Sequence, residues 1–446
     1  MSRLFGTDGV RGKANVDLKP ELAYRLGRAA ALYFRHDEAS PTILIGRDTR
    51  VSGAMFEAAL ASGICSAGGQ AVLIGVIPTP GVAYLARQEK AQAGIVISAS
   101  HNPFYDNGIK FFGGDGYKLP DAVEDEIESI VRKLETDADF GRATDEHIGN
   151  LRYRHELLYN YINYVMQTTD IRLDGMKIVL DCANGAAYEA MPKILQRLGA
   201  DLSVIGIEPN GVNINDHCGS THIDRLRKVV SEKGAAIGIA HDGDADRCLC
   251  VDDNGNIIDG DHILIMCALE MMRENKLPDS TVVTTVMANI GFRQAMEKLG
   301  GRFEITKVGD RYVLENMLKN GYKLGGEQSG HIIFANYSTT GDGLITALQV
   351  LSTMVRTGKS SSELNALMTT YPQVLLNVRV TNKDVCGNAI VQEAIRAGEA
   401  ELGASGRILV RASGTEPLIR VMAEGPEREQ LETICRRIVS VVEAVQ

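Results

Sequence analysis

The feature that most constrains this chain is a repeat. Three segments carry the same order of elements: an apolar strand, a loop and helix, a second strand, another helix, and a third strand opening into a polar loop. In the first copy the strands are 42–48 (TILIGRD), 71–77 (AVLIGVI) and 94–97 (GIVI), the last running into Ser98-Ala-Ser-His-Asn-Pro103. The second has 177–181 (KIVLD), 202–205 (LSVI) and 236–240 (AIGIA), followed by His241-Asp-Gly-Asp-Ala-Asp-Arg247. The third has 282–286 (VVTTV), 303–306 (FEIT) and 322–324 (YKL), leading to Gly325-Gly-Glu-Gln-Ser-Gly-His331. Short apolar strands alternating with amphipathic helices (21–34, 124–134 and 224–232) define α/β units, whose sites form beyond the carboxyl ends of strands. After about residue 371 the pattern changes. Strands at 374–380, 406–411 and 418–424 and a helix at 428–445 predict a smaller α+β domain. The segments divide at 1–150, 151–255, 256–370 and 371–446, with a helix over 151–168 joining the first two and a polar, Gly-rich turn or hinge over 252–260 before the third.

A chain of 446 residues accommodates this many domains, and 44% hydrophobic with 23% charged residues is ordinary for a globular protein. The net charge of −10 argues against nucleic acid as the main partner, because phosphate backbones are bound by basic surfaces. A local basic pocket for a small anion is still compatible with it. The eight cysteines form no C-x-x-C pair, so reduced thiols and a cytoplasmic location are expected. The opening MSRLFGTDGVRG has no apolar core and is not a signal peptide. The uncharged stretch 58–86 is broken by Gly68, Gly69, Pro78 and Pro80, so no membrane span is expected.

The third-strand loops carry different chemistry. Asp242, Asp244 and Asp246 alternate directly after a strand. Carboxylates so placed repel unless a cation joins them, and all-oxygen ligands suit Mg²⁺, Ca²⁺ or Mn²⁺. An EF-hand fails, since its sixth and twelfth positions are Arg247 and Asp253 rather than Gly and Glu. Ser98, Ser100, His101 and Asn102 offer a seryl acceptor, and the absence of G-x-S-x-G makes acyl hydrolysis a poor fit. Glu327 and Ser329 are partners of the kind sugar hydroxyls or amines need, and His331 is suited to shuttle a proton. A fourth loop, Arg411-Ala-Ser-Gly-Thr-Glu-Pro417, joins two C-terminal strands. It supplies a guanidinium, the hydroxyls of Ser413 and Thr415, and N–H groups opened by Gly414, with Arg420 as a second clamp; this set suits a phosphate dianion. Arg11, in the Gly-rich Gly6–Gly12 turn, is placed to reach an anionic substrate. Gly358-Lys359-Ser360 is not a P-loop, because the required earlier glycine is Thr353.

Taken together and in this order, Gly6-Thr-Asp-Gly-Val-Arg-Gly12, the Ser98–Pro103 loop, Asp242–Arg247, Gly326–His331 and Arg411–Pro417 resemble the α-D-phosphohexomutase family over essentially the whole chain. The opening and the E-Q-S-G-H loop are most similar to its glucosamine-phosphate branch. The resemblance implies three similar α/β domains with mixed sheets plus a C-terminal α+β domain around a central cleft. It implies a phosphoserine at Ser100 and one Mg²⁺ on Asp242, Asp244, Asp246 and a phosphoserine oxygen. Glu327 and Ser329 are then expected to hold the sugar, and Arg411, Ser413, Gly414, Thr415 and Arg420 the phosphate not being transferred. Arg11, Arg247, His101 and His331 are expected to support the transferring phosphate, with Lys110 in proton transfer or charge stabilisation. The implied reaction converts glucosamine 6-phosphate to glucosamine 1-phosphate reversibly through glucosamine 1,6-bisphosphate, feeding UDP-N-acetylglucosamine and cell-wall precursors. Glucose or mannose phosphates are the alternative substrates, and a homodimer is a further implication. A sugar-phosphate binding protein without turnover is disfavoured by the intact Ser100 and Lys110.

Overall fold

The computed structural model describes residues 3–6, 8–36, 39–412 and 418–445. Two compact units divide the chain, Met1–Val286 with Glu304–Asn365, and Met287–Phe303 with Ala366–Gln446.

In the first unit, strands β1 (Val10–Lys13), β2 (Thr42–Arg47), β3 (Gln70–Val76), β4 (Ala93–Ile97), β5 (Asp106–Gly113) and β6 (Leu151–Tyr153) form one sheet in the order β1-β5-β4-β2-β3-β6. Strand β2 runs parallel to β3 and β4, while β5 is antiparallel to β4 and β1. Every residue of β4 is buried, as expected for a central strand covered on both faces. Ile43, Ile45, Ile95 and Ile97 pack with Leu26, Phe56 and Leu60 of the covering helices Pro20–Phe34 and Gly53–Ser66.

A second sheet contains β7 (Lys177–Asp181), β8 (Asp201–Ile205), β9 (Ile237–His241), β10 (Cys248–Asp252) and β11 (Ile257–Ile258), in the order β11-β10-β9-β7-β8. A third contains β12 (Thr281–Thr285), β13 (Arg302–Thr306), β14 (Leu324–Gly326) and β15 (Ile332–Phe334), in the order β13-β12-β14-β15. The repeat thus has one more member than its apolar runs suggest. Each third strand is followed by an antiparallel return: β4 by β5, β9 by β10, β14 by β15. The loops that carry the chemistry are therefore hairpin tips.

One linker expectation needs correcting. The segment 151–168 is not one helix. Leu151–Tyr153 adds to the first sheet in parallel with β3, and the helix is Leu157–Gln167. The segment 252–260, read as a turn or hinge, is a turn, the one that closes the β10–β11 hairpin. Asp252 Oδ1 accepts from the backbone N–H groups of Asn254 and Asn256 at 3.0 and 2.7 Å, an Asx turn that local polarity alone does not distinguish from a linker.

In the second unit, β16 (Gln373–Arg379), β17 (Arg407–Ala412) and β18 (Leu418–Glu424) make an antiparallel sheet ordered β16-β18-β17. Val378, Ile419 and Val421 pack with Leu431, Ile434 and Ile438 of the helix Arg428–Val445.

Candidate active site

Ser100 sits at the tip of the β4–β5 hairpin, 2% exposed, with a left-handed φ of 53°. That conformation is uncommon for a residue with a side chain and persists only where the surroundings hold it. Its hydroxyl donates to Asp242 Oδ2 at 2.6 Å, and His101 Nδ1 stands 3.3 Å from Ser100 Oγ. Asp242, Asp244 and Asp246 form the β9–β10 tip. Each offers an oxygen within 4.8 Å of the others, and all three residues are buried.

Concentrated negative charge out of water is unfavourable unless compensated. Burial, and then repulsion from Asp246 and Asp244, push the Asp242 carboxyl up to about 8. Part of the charge is met by protein cations: Lys110 Nζ of β5 lies 3.0 Å from Asp244 Oδ2, and His331 Nδ1 lies 3.4 Å from Asp246 Oδ2. Burial works against the charge on Asp246, yet His331 and Lys110 hold its carboxyl below the usual range. Burial likewise opposes protonation of His331, but Asp246 and Asp310 raise it to about 9. Asp244 Oδ1 and Asp246 Oδ1 are buried with no hydrogen-bond partner among the described residues. Two such carboxylate oxygens in an all-oxygen cluster fit a hard divalent cation.

The cluster is braced from the first sheet. Thr79, which opens the helix Thr79–Gln88, donates its hydroxyl to Asp244 Oδ2 at 2.7 Å and its N–H to the Asp244 carbonyl at 2.9 Å.

A cleft of about 680 Å³ opens above these groups, with Asp8, Arg11, Ser100, His101, Asp246, Arg247, Glu327 and His331 among its lining residues. Lys110, Asp242 and Asp244 lie beneath the wall rather than on it. Lys110 is held charged, since Asp244 and Asp8 outweigh the opposing effect of burial. His101 is held neutral, brought down to about 4 by burial and by Arg247 and Arg11. Glu327 accepts from the Gly309 N–H at 3.1 Å on the cleft wall. The Ser329 hydroxyl is buried without a hydrogen-bond partner among the described residues and is not part of that wall.

The fourth predicted loop belongs to the second unit. Arg411 and Arg420 are directly opposite in the β17–β18 register. Burial, then the charge of Arg420, lower the Arg411 guanidinium from its ordinary value. Paired cations across a strand repel, a condition that an anion relieves. Ser413, Gly414 and Thr415 lie outside the described residues.

Sequence patterns do not single out several framework residues. Lys118 bridges Asp8 and Asp310 at 2.8 and 2.7 Å, joining the first and third segments across the cleft wall. Asp48, Arg50 and Asn215 support the Ser100 loop from below. The Arg47-Asp-Thr-Arg50 run at the carboxyl end of β2 is a usable signal for two of them. Lys118 and Asp310 have no counterpart in the repeat.

Buried serine, acidic triad and flanking cations on hairpin tips of repeated α/β sheets describe a phosphoryl-transfer protein. Models of four successive domains match the chain: phosphoglucomutase/phosphomannomutase alpha/beta/alpha domain I over residues 2–138, domain II over 159–255, domain III over 259–371, and the C-terminal domain over 375–441. The chain belongs to the phosphoglucomutase/phosphomannomutase family. Within it, the phosphoglucosamine mutase of Desulforamulus reducens is 52% identical over 443 residues, covering 99% of both chains. A solved phosphoglucomutase/phosphomannomutase family protein of Burkholderia thailandensis is 25% identical with a TM-score of 0.81, covering 99% of this chain and 97% of that one. The N-acetylphosphoglucosamine mutase of Aspergillus fumigatus, solved with GlcNAc-6P and magnesium, is similar in fold, with a TM-score of 0.71 at 18% identity, covering 99% of this chain and 95% of that one.

Proposed function

We propose that this chain is a phosphoglucosamine mutase that interconverts glucosamine 6-phosphate and glucosamine 1-phosphate through a phosphoserine at Ser100. The observation that carries the reading is the 2.6 Å contact between the Ser100 hydroxyl and Asp242 within a buried, incompletely satisfied carboxylate triad. A serine so placed has little use as an ordinary core residue. Asp242, Asp244 and Asp246 are the residues to hold Mg²⁺. Once bound, Mg²⁺ neutralises the triad and the charge that builds on the transferring phosphoryl oxygens.

In the first half-reaction the Oγ–P bond of phosphoserine breaks and a P–O bond forms to the free sugar hydroxyl. The proton lost by that hydroxyl ends on Oγ, so charge and atoms balance. His331 flanks the triad on the cleft wall and is the candidate carrier, while Lys110, held charged beneath it, fits charge stabilisation. Arg11, Arg247 and His101 stand around the transferring group. Glucosamine 1,6-bisphosphate then reverses its orientation and returns its other phosphate to Ser100. Phosphoryl transfer needs in-line positioning and charge neutralisation more than covalent help, which matches a site rich in fixed charges. Glu327 and Ser329 are assigned to the sugar. Arg411, Ser413, Gly414, Thr415 and Arg420 are assigned to the phosphate that stays in place.

The segments 1–150, 151–255, 256–370 and 371–446 are the corresponding domains, each supplying one loop. A cytoplasmic setting, a small-molecule substrate rather than nucleic acid, and a homodimer complete the reading; no helix among the described residues is long and apolar enough to cross a membrane.

A coupled assay comparing kcat/KM for glucosamine, glucose and mannose phosphates tests the substrate. The highest value is expected for glucosamine phosphate. Preference for glucose or mannose phosphate would move the chain to the phosphoglucomutase or phosphomannomutase activity. No turnover of any of them would leave a binding protein.

A further inference from the structure

We infer that Arg50 and Asn215 are positioning residues that fix the phosphoryl acceptor by clamping the backbone of its loop, an inference that rests on the reading of Ser100 above. The clamp is built from side chains of two different segments. Arg50 stands just past β2 of the first sheet. Asn215 comes from the loop between β8 of the second and the helix Asp224–Lys233. One guanidinium nitrogen of Arg50 donates to the carbonyls of Ser100 and Asn102, at 3.1 and 2.5 Å. The Asn215 amide donates to the same two carbonyls, at 2.9 and 3.1 Å. Two donors thus bridge two acceptors: Arg50, Asn215 and Ser100 are 1%, 6% and 2% exposed, and Asn102 is half-buried.

Arg50 is itself fixed. It forms a fully buried ion pair with Asp48, whose Oδ1 also accepts the Arg50 backbone N–H at 2.9 Å. Asp48 Oδ2 accepts from the Ser98 hydroxyl at 2.5 Å, and the Ser98 oxygen accepts the Ser100 N–H at 2.9 Å. Both sides of the Ser100 peptide backbone are therefore held, its N–H through Ser98 and its carbonyl through the clamp. This is what a residue at φ 53° requires, because the left-handed backbone is not self-sustaining there.

The metal loop is fitted to the same point. A Cβ on Gly243 would lie 2.5 Å from the Ser100 carbonyl oxygen and 2.9 Å from the Asn215 amide nitrogen. Only glycine lets the Asp242–Asp246 tip close on the clamp. The Ser100 carbonyl is thus the shared point of the serine loop, the triad loop and Asn215, so its position sets the aim of Oγ at Asp242. Neither Arg50 nor Asn215 lines the cleft. Their effect acts through the angle of approach, where misplacement by about 1 Å lowers rates by about a hundredfold.

The test uses the full-length enzyme with two variants. Asn215→Asp keeps the shape and removes the donor. Arg50→Lys keeps the charge facing Asp48 and removes the fork. Each is measured for kcat, KM, half-saturating Mg²⁺ and the rate at which glucose 1,6-bisphosphate phosphorylates Ser100, followed by intact mass on folded protein. The expected result is a loss of roughly tenfold or more in kcat and in the phosphorylation rate, with KM and half-saturating Mg²⁺ within about threefold of the parent. The double variant should lose little more than either single one, as groups acting as a unit do. Parental rates per folded molecule in both variants would overturn the inference, even if fewer molecules fold. Ser100→Ala in the same series separates the two readings. If it turns over, the phosphoserine route fails; if it is dead while both clamp variants run at parental rates, the clamp alone fails.

Discussion

Ser100, Asp244 and Lys110 make separable predictions at the scale of the residue. Ser100→Ala should abolish mutase turnover while moving stability by only about 1 kcal/mol, the net worth of one hydrogen bond. Full activity in the alanine variant would remove the serine from the chemistry. Asp244→Asn should raise half-saturating Mg²⁺ at least tenfold, since it withdraws one of three anionic ligands; an unchanged titration would move the metal elsewhere. Lys110→Met leaves Asp8 and Asp244 without the ammonium that lies 3.1 and 3.0 Å from them. Breaking a buried pair in this way is strongly destabilising. A divalent cation on the triad would restore part of the lost positive charge. The drop in melting temperature should therefore be smaller with Mg²⁺ than in chelator, and equal drops in thermal scans would contradict that account. The triad was legible in the sequence because alternate carboxylates after a strand have few other uses. Asn215 was not, because its work is done by long-range hydrogen bonds to the backbone carbonyls of Ser100 and Asn102, which leave no local pattern; Asp48 and Arg50 are marked only by the charged run that closes β2.

Elements tell the same story at a larger grain. The parallel strands were legible as short apolar runs, since strands buried on both faces admit little else, as in β4. Their antiparallel returns were less so. Strand β5 mixes Asp106, Asn107 and Lys110 with Phe111 and Phe112: Lys110 meets the triad, Asn107 donates to Ser52, and Ile109 and Phe111 sit in the core. Helix starts give a test of their own. Asp342 caps the helix Gly343–Thr357, its Oδ1 accepting from the Leu344 and Ile345 N–H groups at 3.0 Å each, while Tyr161 donates to Oδ2 at 2.9 Å. Burial pushes this carboxyl up to about 6, despite those donors. The folded state therefore binds the proton more tightly than the unfolded chain. Between the ordinary carboxylate value and about 6, this group's contribution to stability falls as pH rises. Asp342→Asn keeps the acceptor and removes the titration. Relative to the parent, its unfolding midpoint should rise as pH goes from 4 to 7, by an amount on the order of 2 kcal/mol in free energy. A constant difference across that range would mean that Asp342 does not titrate there.

For the whole molecule, the threefold repeat and the change after residue 371 were readable from alternation alone. What joins the segments was not. Lys118 between Asp8 and Asp310, and Thr79 on Asp244, link stretches 110, 192 and 165 positions apart, and no periodicity encodes them. The left-handed backbone at Ser100 carries one more consequence. Serine and threonine both offer a hydroxyl that can carry phosphate. Here the extra methyl of a β-branched side chain would strain against a backbone already outside the region such residues tolerate. The choice of acceptor is therefore restricted by conformation before chemistry is consulted, and threonine is barred from a role its hydroxyl could otherwise fill.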